Sequence, residues 1–305
     1  MGQALSTSQE NEKPDFSVEI ALSSTFSIDD IIATAEDAGK AILGIYNSDP
    51  AKWEVEAKSD NSPLTLADRE ANTVICNELQ RLTPHIPIVS EETALLSYDV
   101  RQRLQYFWLV DPLDGTKEFI KRNGEFTVNI ALVSKGQPVL GVVHVPVTGK
   151  TYWALQGKGA WLRADGQQTR LMAAEFSLED PGLRLVGSSS HMSKETEEFM
   201  QLLQSPSLVQ VGSSLKLLMV AEGAAHIYPR LAPTCEWDTA AADVIVREAG
   251  GVVLQAGRCD SKGKSLEDWK EALMREEKVV YGKEDMLNPF FIVFGRKRLQ
   301  AGDSI

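Results

Sequence analysis

Apolar residues recur at helical spacing in two early stretches of the chain. From Ser27 to Tyr46 they lie three or four positions apart, and Ser27 with Asp30 forms the capping-box pattern that begins a helix. Residues 53–58 alternate between apolar and polar, as a strand does, and a second helix is predicted over about Leu66 to Leu82. The N-terminal half is therefore predicted to contain both helices and strands.

Two carboxylates follow a strongly apolar run in the middle of the chain. Residues 106–110 are aromatic or β-branched and are predicted to form a buried strand, and Asp111 and Asp114 come directly after it. Pro112 fixes its own φ and Gly115 permits a tight turn, so the two Asp side chains are expected on the same side of a rigid loop. A hard divalent cation would relieve their repulsion, and Mg²⁺ commonly binds to a few carboxylates together with phosphate oxygens.

Some of these acidic and hydroxyl positions also have purely structural interpretations. Thr116 could be an ordinary N-cap, and Asp68, in the first turn of the second helix, could complement the helix dipole. Glu91 and Glu92 end a short apolar run, where carboxylates can cap a helix but where functional groups are also presented. The sequence pattern by itself leaves both interpretations open.

The remaining pattern predicts an antiparallel meander followed by alternating strands and helices. Residues 126–163 contain four apolar runs separated by turn residues, whereas strands and helices alternate over 183–249, the last helix running from Glu236 to Ala249. We expect a disordered lead at 1–16, an N-terminal α+β domain with an antiparallel sheet over 17–165, and a C-terminal α/β domain over 166–305 that completes the site. The boundary is predicted near residues 165–182, where turn residues cluster.

Composition narrows the class of protein. The 305 residues are 43% hydrophobic, as in globular proteins, and carry a formal net charge of −12 with a pI near 4.9. This negative balance argues against nucleic acid or an anionic membrane as the main partner. The three cysteines are far apart and odd in number, which argues against a disulfide framework, and the four histidines show no zinc spacing.

The predicted location is the cytoplasm. No apolar run reaches the roughly 18 residues of a membrane span, and the N-terminus lacks the apolar core of a signal peptide. The residues that begin Met1-Gly2 fit the loose pattern for N-myristoylation, and a single acyl chain would be a weak anchor that associates the protein with membranes. The oligomeric state is left open.

Three separated motifs together resemble the inositol monophosphatase superfamily of Mg²⁺-dependent phosphatases. They are Glu91-Glu92, the run Asp111 to Thr116, and Trp237-Asp238-Thr239-Ala240-Ala241, in the family's order. Three further segments are most similar to the 3′(2′),5′-bisphosphate nucleotidases of the CysQ type: 62–68, Lys117-Glu118-Phe119, and Ile227 to Arg230. The resemblance covers about residues 27–295 and implies a layered α-β-α-β-α sugar-phosphatase fold.

The resemblance implies two or three Mg²⁺ ions in the site. Glu91 would bind the first metal, Asp111 would bridge two metals, and Asp114 and Asp238 would bind the second, with the Leu113 carbonyl as a backbone ligand. Asp68 and Thr116 would orient or deprotonate the attacking water, and Asp68 is also placed by the resemblance near a third metal. Sensitivity to Li⁺ is expected as well.

The N–H groups of Gly115 and Thr116, at the start of a helix, are expected to point at phosphate. The other nucleotide contacts, which the resemblance implies, lie in the C-terminal half. The positions that match are Ser189 or His191, Ser213, Lys216, Arg230 and, beside the metals, Asp238. Lys216 and Arg230 would hold the phosphate that is not cleaved. The charged stretch 255–280 is longer than the family pattern and is expected to lie on the surface.

The predicted activity is removal of the 3′-phosphate of adenosine 3′,5′-bisphosphate, and of its sulfated analogue 3′-phosphoadenosine 5′-phosphosulfate, to leave the 5′-nucleotide. One alternative is an inositol mono- or polyphosphate phosphatase with the same metal chemistry. Another is a non-catalytic nucleotide-sensing scaffold on the same fold, which would have no need for the complete acidic set or for Thr116. The partner in each case is a small phosphorylated molecule.

Overall fold

A computed structural model describes residues 17–20, 24–58, 62–188, 193–260 and 264–298. Gly2 and the rest of the predicted lead lie outside these residues, and so do Ser189 and His191. None of the described helices combines the length and the hydrophobicity that a membrane crossing requires.

Eight α-helices are present in the described residues. In chain order they are α1 Ile28–Tyr46, α2 Leu66–Leu82, α3 Tyr98–Arg101, α4 Thr116–Lys121, α5 Lys194–Gln201, α6 Leu215–Ala221, α7 Ala240–Glu248 and α8 Trp269–Leu273. Two short 3-10 helices cover Pro50–Lys52 and Glu236–Asp238.

Eighteen strands are present in the same residues. They are β1 Ser17–Ile20, β2 Ser24–Ser27, β3 Glu56–Ala57, β4 Pro63–Leu64, β5 Ile88–Ser90, β6 Tyr106–Asp114, β7 Thr127–Ser134, β8 Gln137–Val145, β9 Lys150–Leu155, β10 Gly159–Ala164, β11 Gln167–Arg170, β12 Glu175–Phe176, β13 Arg184–Ser188, β14 Ser207–Val211, β15 Ile227–Arg230, β16 Val252–Gln255, β17 Phe291–Phe294 and β18 Arg296–Lys297.

Two large sheets and three helical layers build the fold. A seven-stranded sheet has the order β11-β10-β9-β8-β7-β6-β5 and is antiparallel except for the β5/β6 pair, and a five-stranded sheet has the order β14-β13-β15-β17-β16. Helices α1 and α2 cover the outer face of the larger sheet, α6 and α7 lie between the sheets, and α5 and α8 cover the outer face of the smaller one. The expected α-β-α-β-α layering is therefore confirmed.

Strand β6 of the larger sheet is covered by helices on both faces. Trp108 and Val110 face α1 and α2, whereas Phe107 and Leu109 face α6 and α7. All four side chains are at most 5% exposed, because both faces of this strand are covered by helices. The expected buried strand is confirmed, and the sheet that it belongs to continues through β11, past residue 165. The division into two domains stays a prediction.

Helix caps and one hairpin match their sequence patterns closely. Ser27 and Asp30 form the capping box of α1, and Thr65 and Asp68 form the same arrangement at α2. The β7–β8 hairpin turns at Lys135 and Gly136, both with positive φ (49° and 77°), as a two-residue hairpin turn requires.

Two predicted elements differ from the structure in their extent. The strand expected over 53–58 shrinks to β3, because Trp53 is buried and donates to the Ile45 carbonyl (2.9 Å) while the chain turns at Glu54 (φ 50°). The helix expected from Glu236 to Ala249 is broken at Thr239, whose φ of −123° separates the 3-10 turn from α7.

The charged stretch 255–280 is more than a surface decoration. Trp269 of α8 is 6% exposed and packs edge-on against Phe199 of α5, with ring centroids 5.7 Å apart. This stretch therefore contributes to the core on the outer face of the smaller sheet. Its charged composition suggested only a polar surface, but Trp269 is buried within it.

Two glycines of α1 should respond in opposite directions to alanine. Gly44 is exposed with no atom near an added Cβ, so Gly44→Ala should raise the free energy of unfolding by about 0.5–1 kcal/mol through helix propensity. At buried Gly39 the added Cβ would lie 2.5 Å from the His144 ring, so Gly39→Ala should lower that free energy by about 1–3 kcal/mol. Thermal and urea melting of both variants checks this, and equal stabilisation by both would contradict the packing of α1 against β8.

Candidate active site

Three carboxylates from distant parts of the chain converge at one end of the larger sheet. Oxygens of Glu91, Asp111 and Asp238 lie within 4.8 Å of one another. Glu91 follows β5 and its N–H donates to the Val110 carbonyl (3.1 Å), Asp111 belongs to β6, and Asp238 ends the 3-10 turn. Parallel pairing of β5 with β6 and docking of the 3-10 turn on β6 bring the three together.

A bulge in β6 directs Asp111 and Asp114 to the same side. The strand continues through Asp114, where the sequence suggested a loop, and the pairing with β7 shifts between Asp111 (opposite Asn129) and Asp114 (opposite Thr127). Residues three apart on a regular strand point to opposite faces, but one extra residue restores the same face. The expected orientation is therefore found, although its cause is a bulge and not a loop.

Asp114 lies beside the cluster rather than within it. Its Oδ2 accepts a hydrogen bond from the Ser214 hydroxyl (2.7 Å), and the same hydroxyl oxygen lies 3.0 Å from the Asp238 carbonyl oxygen. The Asn129 side-chain amide in turn donates to Ser214 (2.8 Å). Sequence reasoning missed Ser214 and Asn129; the adjacent serines at 213–214 were the only signal.

Mutual repulsion shows in the pKa values of the cluster. Burial, followed by the charges of Glu91, Asp114 and Asp238, raises the pKa of Asp111 well above its usual value. Burial and the charges of Asp114 and Glu91 do the same to the pKa of Asp238. Carboxylates that resist ionisation in each other's company form a donor set that fits a hard divalent cation.

Lys58 is a third residue that sequence reasoning missed. Its ammonium contacts Glu91 (2.7 Å) and Glu92 (2.6 Å). Burial alone would lower the pKa of Lys58, but the charges and hydrogen bonds of the two glutamates outweigh burial and raise it. Burial raises the pKa of Glu91 and of Glu92 in spite of this lysine. Lys58 was part of the alternating run 53–58, which carried no sign of this contact.

Asp68 caps α2 and also contacts Thr116, while its predicted role toward the attacking water stays a prediction. Its Oδ2 accepts from the Thr65 N–H (2.7 Å) and hydroxyl (2.5 Å), which caps α2, and its Oδ1 accepts from the Thr116 hydroxyl (3.1 Å). Burial raises the pKa of Asp68, and the hydrogen bonds from Thr65 and Thr116 oppose that rise. The capping residue of one helix therefore reaches the motif that follows β6.

Thr116 is not the N-cap of α4. That position belongs to Gly115, whose φ of 95° suits glycine, and an added Cβ there would lie 3.0 Å from the Glu125 carbonyl oxygen and 3.3 Å from the Ser213 side chain. The Thr116 hydroxyl is thus free of capping and lies 3.1 Å from Asp68 Oδ1 and 3.4 Å from the Leu113 carbonyl oxygen. The Leu113 N–H donates to Asp111 (3.1 Å).

A cavity of about 200 Å³ opens beside the cluster. Lys216 and Arg230 line it together with Asp114, Asp238 and Ser213. Burial lowers the pKa of Lys216 to about 8; the charge of Asp114 opposes that shift and the charge of Arg230 adds to it. Cationic side chains therefore stand next to the acidic cluster in a partly enclosed space.

Two buried polar atoms in this cavity lack a partner among the described residues. They are Ser213 Oγ, on a residue with a positive φ of 45°, and Arg230 Nε. Arg230 Nη2 donates to the Pro233 carbonyl (2.7 Å), and Lys216 Nζ donates to the Ser213 carbonyl (2.6 Å), so backbone contacts fix both cations. Unpaired buried donors are costly, which fits a site that a polar ligand completes.

Most of the predicted site residues thus come together. The residues of the acidic part are Asp68, Glu91, Asp111, Leu113, Asp114, Thr116 and Asp238, and those of the adjoining cavity are Gly115, Ser213, Lys216 and Arg230. Ser189 and His191 are outside the described residues, so their predicted contacts with the nucleotide stay predictions.

The family model for the inositol monophosphatase family matches residues 26–288, which is most of the chain. The chain belongs to this family. Enzymes of the family use divalent metal ions, and the acidic cluster described above offers ligands of the type that they require. This agrees with the resemblance carried by the three motifs.

Relatives with known names are similar over most of the chain. The 3′(2′),5′-bisphosphate nucleotidase CysQ of Escherichia coli O157:H7 is 48% identical over 227 residues, 74% of this chain and 89% of that protein. The protein of the same name from Salmonella typhimurium is 46% identical over 241 residues, 79% and 93% of the two chains. The crystal structure of CysQ from Bacteroides thetaiotaomicron, described as a bacterial member of the inositol monophosphatase family, is 40% identical with a TM-score of 0.73, covering 88% of this chain and 97% of that one.

Replacing one carboxylate of the cluster should stabilise the metal-free protein. Asp111→Asn removes a buried charge that its neighbours repel, while Asn can keep the hydrogen bond from the Leu113 N–H, so the melting temperature in chelator should rise by a few degrees. Excess Mg²⁺ should raise the melting temperature of the wild type more than that of the variant.

Asp243 offers a matched contrast, because it is equally buried but paired. It accepts from Arg247 (2.6 Å) and from the Tyr281 hydroxyl (2.7 Å), so Asp243→Asn should melt below the wild type in the same chelator. A lower melting temperature for Asp111→Asn as well would contradict the repulsion described for the cluster.

Proposed function

We propose that this protein is a Mg²⁺-dependent phosphatase that hydrolyses the 3′-phosphate of adenosine 3′,5′-bisphosphate to give AMP and phosphate. The main support for this proposal is that a metal-binding type of cluster lies next to an anion-binding type of cavity. A partly buried carboxylate cluster adjoins a cavity in which Lys216, Arg230 Nε and Ser213 Oγ are placed to bind an anion. The names of the relatives at 46% and 48% identity support the nucleotide as the substrate.

The carboxylates of Glu91, Asp111, Asp114 and Asp238, with the Leu113 carbonyl, would hold two or three cations. Bound divalent cations neutralise the charge of a phosphomonoester, activate water as a nucleophile and stabilise the leaving oxygen. Of these groups, Glu91, Asp111 and Asp238 are close enough to share a cation with little movement. Asp114 would have to exchange its hydrogen bond with Ser214 for a cation.

Thr116 and Asp68 would guide the attacking water. The Thr116 hydroxyl donates its proton toward Asp68 Oδ1, which leaves the lone pairs of Thr116 Oγ1 to accept a hydrogen bond from water. Burial raises the pKa of Asp68 and so makes this carboxylate a better proton acceptor than an exposed one. A proton lost by the water at Thr116 could therefore pass to Asp68 Oδ1.

Lys216, Arg230 and Ser213 would hold the phosphate that is retained. Hydrogen bonds to a phosphate are stronger when the donor is charged. Arg230 Nη2 donates to the Pro233 carbonyl, and Arg230 Nε has no partner among the described residues and is available for such a bond. The distance between this group and the cluster then selects substrates with two phosphates.

Phosphate release with Mg²⁺ across three substrates tests the proposal. Adenosine 3′,5′-bisphosphate should be turned over with the highest kcat/KM, its sulfated analogue next, and inositol 1-phosphate poorly. A clear preference for inositol 1-phosphate would replace the nucleotide by the inositol alternative, and no release from any of them would favour the non-catalytic scaffold. Inhibition by millimolar Li⁺ is expected from the resemblance to the nucleotidases.

Variants of the two groups of residues should fail in different ways. Lys216→Ala should raise KM for the bisphosphate about 10- to 100-fold and leave phenyl phosphate, which has only the scissile phosphate, nearly unchanged. Thr116→Ala and Asp68→Asn should instead lower kcat for both substrates, because they act on the transition state.

Steady-state kinetics and thermal melting of the same variants distinguish this from a structural role. If Thr116 only packed α4 and Asp68 only capped α2, the variants would lose about 1 kcal/mol of stability and keep their turnover. Stable but slow variants support the assignment, and destabilised but fully active variants contradict it.

The depressed pKa of Lys216 predicts a pH dependence specific to the bisphosphate. Because this pKa is about 8 in the folded protein, the ammonium is present below pH 8 and is lost as the pH rises through that value. The ratio of kcat/KM for the bisphosphate to that for phenyl phosphate should therefore fall above pH 8. In Lys216→Arg the charge persists, so the same ratio should stay flat; a fall in both proteins would contradict the assignment.

A further inference from the structure

Glu118 is a buried carboxylate in the cavity that has no part in the chemistry described so far. It lies in α4, three residues after Gly115, and is 8% exposed. The cavity that it lines is the one that contains Lys216 and Arg230. Its small accessible surface therefore faces the space that a ligand would fill.

The carboxylate of Glu118 has no hydrogen-bond donor within the described part of the chain. Its nearest cation is Lys121 Nζ, at 3.7 Å from Oε1, and the Lys121 side chain is exposed. The other buried carboxylates of this part of the chain all accept at least one hydrogen bond: Asp68, Asp111, Glu236 and Asp243. Glu118 therefore differs from them in keeping its acceptor capacity unused.

Close packing holds Glu118 in this position. A Cβ added to Gly212 would lie 2.6 Å from Glu118 Cγ and 3.0 Å from the Glu125 carbonyl oxygen, so glycine is needed for the 212–214 segment to pass so near. The Gly212 N–H donates to the Glu125 carboxylate (2.8 Å), which fixes the segment from the other side. The Glu118 stem is thus clamped against the segment that carries Ser213.

The charge of Glu118 excludes a phosphate as its ligand. A carboxylate repels phosphate oxygens, and Lys121 Nζ, at 3.7 Å, lies beyond hydrogen-bonding distance. Glu118 can instead accept a hydrogen bond from a neutral O–H or N–H group of a ligand in the cavity, since the described residues supply no such donor.

We propose that Glu118 is a specificity-determining residue that accepts a hydrogen bond from a hydroxyl or amino group of the nucleoside part of the substrate. The two donors that an adenosine bisphosphate offers are the ribose 2′-hydroxyl and the 6-amino group of the base. This proposal rests on the proposed function, since it assumes a nucleotide in the cavity. It explains why a phosphate-binding cavity retains a carboxylate that accepts no hydrogen bond from the described residues.

Kinetics of Glu118→Met tests the proposal, because methionine keeps the length of the side chain and removes the acceptor. For adenosine 3′,5′-bisphosphate kcat/KM should fall about 10- to 100-fold, while for phenyl phosphate it should stay within about twofold. Glu118→Gln, which keeps a weaker acceptor, should lie between. Lys121→Gln on the same helix removes the nearby cation and should leave both substrates unchanged.

Two analogues identify the donor. One analogue is the 2′-deoxy bisphosphate and the other lacks the 6-amino group. With the wild-type enzyme, the analogue that lacks the donor to Glu118 should have a kcat/KM about 10- to 100-fold below that of the full substrate. Glu118→Met should not lower the kcat/KM of that analogue further, because the contact is already absent, but it should lower the kcat/KM of the other analogue as much as that of the full substrate.

Several results would overturn the proposal. An equal loss on phenyl phosphate would mean that Glu118 supports the fold, and a gain on the bisphosphate would mean that it only repels phosphate. Unchanged discrimination between the analogues would also exclude the contact. If the wild type itself shows no preference for the nucleotide, the proposed function fails and this proposal with it, whereas a preference that Glu118→Met leaves intact overturns this proposal alone.

Discussion

Repulsion between carboxylates that are wholly or partly buried governs how the candidate active site and the elements around it are built. Burial raises the pKa values of Asp111 and Asp238, and the charges of the neighbouring carboxylates, Glu91 among them, raise them further, so the three cannot ionise freely together. Such an arrangement persists only because a rigid frame imposes it. The frame consists of the β5/β6 pair, the bulge of β6 and the 3-10 turn at Glu236–Asp238, each anchored in a packed core.

The buried network around the 3-10 turn shows how that frame is maintained. Glu236 is fully buried and accepts from the N–H groups of Gly282 (2.5 Å) and Lys283 (3.0 Å) and from the Lys283 ammonium. Asn288 donates to the Cys235 carbonyl (2.8 Å) and to the Thr239 hydroxyl (2.9 Å). Because every one of these contacts ties the turn to the 282–288 segment, Asp238 cannot easily retreat from its neighbours.

Local patterns predicted much of the fold because they depend on neighbouring residues. Ser27 with Asp30 predicted the start of α1, and the apolar run before Asp111 predicted the buried part of β6. The Trp53 region was mispredicted because a distant contact, the one between Trp53 and the Ile45 carbonyl, overrides its alternation. Tertiary contacts of this kind leave no mark on the adjacent sequence.

In the candidate active site, too, local motifs were predictable and tertiary contacts were not. Its candidate metal ligands lie in three compact motifs, so the resemblance to a family predicted that they form one site. Lys58 and Ser214 could not be found in that way, because their significance lies in what they contact across the fold. Glu118 lies in a segment that resembles the nucleotidases, but only the structure shows that its carboxylate accepts no hydrogen bond from the described residues. The bulge that aligns Asp111 with Asp114 was likewise invisible, since it depends on the register with β7.

Calorimetric titration of the metal-free protein with Mg²⁺ directly tests whether the carboxylates of the site repel one another and bind cations. Carboxylates whose pKa is raised by burial and by each other's charge must lose protons when cations bind, so binding should release protons, and the number released should increase as the pH is lowered from 8 to 6. Titrations in buffers of different ionisation enthalpy measure that number. Saturable binding of more than one Mg²⁺ per chain with proton release is expected. No binding, or binding without proton release at any pH in this range, would mean that the carboxylates do not repel one another as described.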